Sequence, residues 1–60
     1  MGLVFVMFFQ TDDKGVIAIV PLSICLERLE VTFYALFGQM PPEPSFVEVH
    51  GGEATLYYDL

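Results

Sequence analysis

Leu22-Ser23-Ile24-Cys25-Leu26-Glu27-Arg28-Leu29-Glu30-Val31-Thr32-Phe33-Tyr34-Ala35-Leu36-Phe37 is the stretch whose reading decides the fold. As a helix, it places Leu22, Cys25, Leu26, Leu29, Phe33, Leu36 and Phe37 on one stripe at three- and four-residue spacing. Ser23, Glu27, Glu30 and Tyr34 then fall on the opposite side. Pro21 precedes the start, and Gly38 suits the position just past the end. As a strand, Leu29, Val31, Phe33, Ala35 and Phe37 alternate with Glu30, Thr32, Tyr34 and Leu36, and Val-Thr-Phe-Tyr favours β structure. The helical stripe persists over the whole stretch and the alternation over only its second half, so length favours the helix. The alternative is an all-β chain, a five-stranded small barrel or sandwich.

Upstream lies a hairpin. Thr11-Asp12-Asp13-Lys14-Gly15 is a turn, because aspartates bond back to the local backbone and glycine supplies positive φ. It joins Leu3–Gln10 to the β-branched run Val16–Val20, which Pro21 ends. With Thr11 opposite Val16, Phe9 pairs with Ala18 and Met7 with Val20 on one face, and Phe8 with Ile19 on the other. Both faces come out apolar. Downstream, Met40-Pro41-Pro42-Glu43-Pro44 reads as a stiff extended linker. Gly51-Gly52 then turns a second hairpin. Its register pairs His50 with Glu53, Val49 with Ala54, Glu48 with Thr55, Val47 with Leu56 and Phe46 with Tyr57. One face carries Val47, Val49, Ala54, Leu56 and Tyr58; the other carries Glu48, His50, Glu53 and Thr55, with Phe46 and Tyr57 among them.

The expected fold is therefore α+β: ββαββ, a four-stranded mostly antiparallel sheet with one helix packed on one face, forming one domain over residues 1–60. Strand order is not legible; a β-grasp-like arrangement with the first and last strands adjacent is one solution. The element order implies no activity.

A chain of 60 residues sits near the lower limit of independent stability. Such chains lean on disulfides, metals or association. Cys25 is the only cysteine and His50 the only histidine, so neither an internal disulfide nor a structural zinc site is available, and no cofactor is expected. Association remains. A single helix covers one side of the sheet, which leaves Val4, Val6, Phe8, Ile17 and Ile19, with Phe46 and Tyr57, as a self-association surface. A homo-oligomer is expected.

Two cations, Lys14 and Arg28, face eight carboxylates, for a net charge of −6. That balance disfavours direct nucleic-acid contact and an anionic membrane surface. It favours a basic protein partner, for which Glu27, Glu30 and Tyr34 on the outward side of the helix are the candidate binding residues. Neither apolar run reaches the roughly 20 residues that span a bilayer. No signal peptide is recognisable, and a lone cysteine suits a reducing compartment, so a cytoplasmic setting is expected.

Three chemical readings are weaker. Glu48 and His50 share a strand face with Glu53 across the turn, which suits a general base or, more simply, a cross-strand His50–Glu53 ion pair. Asp12 and Asp13 lack the further oxygens of a calcium loop and read as turn residues. Cys25 lies on the apolar stripe and reads as a core residue. The expected function is that of a small acidic, non-enzymatic interaction module. It would self-associate through the sheet and regulate or inhibit a basic or nucleic-acid-handling partner. The alternatives are a structural subunit of a heteromeric complex and a minimal enzyme with its site at a dimer interface.

Overall fold

A computed structural model describes residues 7–60. The element order is β1 (Phe8–Thr11), β2 (Gly15–Pro21), α1 (Leu26–Phe37), β3 (Phe46–His50) and β4 (Glu53–Asp59). The strands form one antiparallel sheet in the order β1-β2-β4-β3, with α1 on one face. This is the α+β ββαββ fold, and the all-β alternative is excluded by the helix at 26–37. The β-grasp-like order is also corrected: β1 lies at one edge, and β4 sits inside between β2 and β3. The two hairpins thus join through β2 and β4, in a seven-residue ladder from Gly15↔Asp59 to Pro21↔Glu53.

Turn chemistry sets both hairpin registers. Asp12 Oδ1 accepts from the Lys14 and Gly15 N–H groups at 2.8 and 3.0 Å, and the Asp12 N–H donates to the Gly15 carbonyl at 2.9 Å. Thr11 therefore faces Val16, Phe9 faces Ala18 and Phe8 faces Ile19. In the second hairpin Gly51 takes φ 58°, the positive value required at the first position of a two-residue turn. All five expected pairs, from His50↔Glu53 to Phe46↔Tyr57, are present. Met7 lies just before β1, and residues Leu3–Val6 of the expected first strand fall outside the described residues. Gly15, with φ 154°, is forced by close approach: a Cβ there would overlap the Tyr58 carbonyl across the β2–β4 ladder.

The helix begins a full turn later than its apolar stripe suggests. The Leu22 N–H donates to the Gly52 carbonyl at 2.8 Å, and the Ile24 N–H donates back to Pro21 at 3.0 Å. Leu22–Cys25 therefore leaves the sheet as a turn that lashes the two hairpins together. Cys25 becomes the N-cap in extended conformation, and its carbonyl accepts the first helical bonds, from Arg28 and Leu29. At the other end Gly38 adopts φ 73° and donates its N–H to Tyr34 O at 2.8 Å. The strand-favouring Val31-Thr32 pair is tolerated, with the Thr32 hydroxyl bonding back to Arg28 O at 2.9 Å.

The core comprises Val16, Ala18 and Val20 from β2, Ala54 and Tyr58 from β4, and Leu29 and Phe33 from the helix. Phe33 is wholly buried and meets Tyr58 edge-on at 5.1 Å; Phe9 packs edge-on against both Phe33 and Phe37, at 6.3 and 5.9 Å. Such aromatic contacts add to the area they bury. Four residues of the expected buried stripe are corrected, since Leu22, Cys25, Leu26 and Leu36 are exposed. Leu22 and Cys25 precede the helix. Leu26 lies in its first turn and is 74% exposed, and Leu36 is 57% exposed. The helix is anchored by Leu29, Phe33 and Phe37, a narrower stripe than the sequence offers.

Candidate functional site

Residues opposite each other in a ladder share a face, so the registers assign the sheet's outer side directly. Ile17, Tyr57 and Phe46 form a row across β2, β4 and β3. Phe8, Ile19, Thr55 and Glu48 form the next. The Phe46 and Tyr57 rings are 5.7 Å apart. Phe8 and Phe46 are 60% and 57% exposed, and Ile17, Ile19 and Tyr57 are half-buried. Five of the seven expected self-association residues therefore lie together on the side away from the helix. Val4 and Val6 fall outside the described residues.

One end of this face is polar. The Tyr57 hydroxyl donates to Glu48 Oε1 at 3.1 Å. That bond, with desolvation and the nearby carboxylate charge, raises the Tyr57 pKa above the ordinary tyrosine value of 10.0. Burial alone does the same for Tyr58 on the inner side. His50 Nε2 stands 3.8 Å from Glu48 Oε2. The expected His50–Glu53 ion pair is thus corrected: the residues are ladder partners, but the imidazole leans along its own strand toward Glu48. At that distance there is no hydrogen bond to orient the ring for proton transfer.

The helix's outward side is the second feature. Glu27, Glu30, Val31, Tyr34 and Met40 line a shallow groove of about 330 Å³. Glu27, Glu30 and Tyr34 are brought together as their helical spacing implies. Val31 was not singled out in the sequence, although the same spacing sets it beside Glu27 and Tyr34. Met40 arrives because Gly38 turns the chain back, a step with no signal in local periodicity.

Other candidates resolve simply. Asp12 is engaged by its own turn. Cys25, expected in the core, is exposed at the helix N-cap, where its side chain makes no capping bond. Among the described residues no group of three His, Cys, Asp or Glu is placed to hold a metal ion, and no helix is long and apolar enough to cross a membrane. The chain matches no protein-family model, no curated protein and no solved structure.

Proposed function

We propose that this chain is a non-enzymatic interaction module that self-associates through the outer face of its sheet and presents its acidic helix to a second protein. The observation that carries the reading is the cluster of Phe8, Ile17, Ile19, Phe46 and Tyr57 on a face that the helix does not cover. Apolar patches of a few hundred Å² on small chains mark contact surfaces. Three of the five residues are aromatic, the type that anchors interfaces. The polar group nearest them is already satisfied, because Tyr57 and Glu48 bond to each other. Glu48, His50 and Glu53 supply a wet rim at one end. Two such faces stack about 10 Å apart in a sheet-on-sheet packing.

Sedimentation equilibrium across a concentration series, with Phe8→Glu beside the parent chain, tests this. A dimer or larger species that Phe8→Glu dissociates, with unchanged far-ultraviolet circular dichroism, is expected. A parent chain that stays monomeric at several hundred micromolar would remove self-association. If that monomer also bound an apolar dye through this face, the surface would belong to a contact with a different chain.

A further inference from the structure

The groove on the outward side of α1 is built differently from the sheet face, and the difference specifies its occupant. Val31, Tyr34 and Met40 are each more than half exposed and form the apolar part of its lining. Glu27 and Glu30 line the same groove. Among the described residues neither carboxylate has an ion-pair partner within 4.0 Å. Arg28 is not among the groove's lining residues. An apolar lining edged by free carboxylates complements a segment that is apolar on one side and cationic beside it. A second copy of this chain cannot supply that segment, because Lys14 and Arg28 are its only cations and its net charge is −6. We infer that the α1 groove binds a basic amphipathic helix of another protein. An apolar side chain of that helix would settle between Val31 and Met40, and its lysine or arginine side chains would reach Glu27, Glu30 and the ring face of Tyr34.

The chemistry suits each position. Methionine adapts its shape to an incoming side chain. An exposed tyrosine ring accepts a cation on its face. In helix-in-groove recognition the bound helix lays apolar anchors, three and four residues apart, along a hydrophobic groove. This inference deepens the proposed function by stating the partner's chemistry. It rests on the second half of that reading and is tested apart from self-association, because the groove and the outer sheet face lie on opposite sides of the molecule.

The probe is a labelled amphipathic peptide of about 16 residues with leucines on one side and lysines flanking them, read by fluorescence anisotropy against the full chain. Its companion carries glutamate in place of every lysine. The basic peptide should bind and the acidic one should not. Glu27→Gln combined with Glu30→Gln should weaken binding about tenfold, as for the loss of two partly exposed charge pairs. Val31→Asp, at an exposed helix position, should abolish it. Rising salt should weaken it. Phe8→Glu should leave it unchanged, whatever that substitution does to self-association. No binding of the basic peptide, equal binding of the acidic one, or unaltered affinity in the double glutamine variant would overturn the inference. Loss of binding in Phe8→Glu would place the peptide on the sheet instead. Dissociation of a self-associated species by Val31→Asp would make the groove a contact between copies, and the inference would fail.

Discussion

Strands β2 and β3 flank the same neighbour, β4, and both turn valines toward the helix side, yet their inward residues differ sharply. Val16, Ala18 and Val20 of β2 are 2%, 0% and 3% exposed. Val47 and Val49 of β3 also point to the helix side, and are 46% and 60% exposed. The difference lies in the cover. Phe33 lies against Tyr58 of β4, and Phe33 and Phe37 reach Phe9 of β1, while Val47 and Val49 of β3 are not part of the core cluster. Alternation in a sequence tells which side a residue faces. Position in the sheet and the helix's line across it decide whether that side is dry.

That contrast can be tested at three strengths. The largest effect is expected at Phe33, the contact that gives β2 and β4 their cover. Phe33→Ala should cost about 3–5 kcal/mol by chemical denaturation. A chain of this length has roughly 3–9 kcal/mol in total, so the variant should lose a third or more of its stability and its denaturation midpoint should fall accordingly. A cooperative transition with a near-parental midpoint would show that the helix does not hold the centre of the sheet. Next comes a matched pair. Val20→Ala should cost about 2 kcal/mol through lost burial and the cavity left behind, and Val49→Ala under about 0.5 kcal/mol. Equal losses would mean that β3 is as buried as β2 and that the contrast is false.

The smallest effect is on pH dependence. Tyr57 and Tyr58 sit next to each other on opposite sides of β4, and both hold their protons more tightly than an ordinary tyrosine at 10.0. Unfolded tyrosines ionise near that value while the folded ones stay neutral, so the unfolded state releases protons first. The stability these groups contribute is whole below pH 10.0 and declines as pH rises from there through their folded values. Denaturation midpoints measured up the alkaline limb should fall, and Tyr58→Phe and Tyr57→Phe should each flatten the fall. An unchanged slope in both variants would assign alkaline unfolding to other groups.

Much of this architecture was legible because short-range chemistry specified it. Asp12 with Gly15, and Gly51 with Gly52, fix two turns, and each turn fixes a register, from which the shared face of Phe8, Ile17, Ile19, Phe46 and Tyr57 follows. Gly38 likewise marks the helix end. The helix start was not legible. The apolar residues at 22 and 25 extend the stripe backward, and the bonds from Leu22 to Gly52, thirty positions away, and from Ile24 to Pro21 hold that segment in a turn outside the helix. Strand order was hidden for a related reason: either strand of each hairpin could meet the other hairpin, since both carry apolar inward faces. In the groove, Glu27, Glu30 and Tyr34 could be read from spacing, whereas Met40 depends on where the chain goes after its turn.

The ladder between β2 and β4 also bears on how the chain reaches this state. It pairs residues 15–21 with residues 53–59, so the middle of the sheet is its most non-local part. Such pairings are slow to form, because loop closure is paid before contacts repay it. Until residues 53–59 pair with it, β2 is an open, apolar edge, and open apolar edges recruit other chains. For this protein the interval between closing the first hairpin and docking the second is the period of greatest risk.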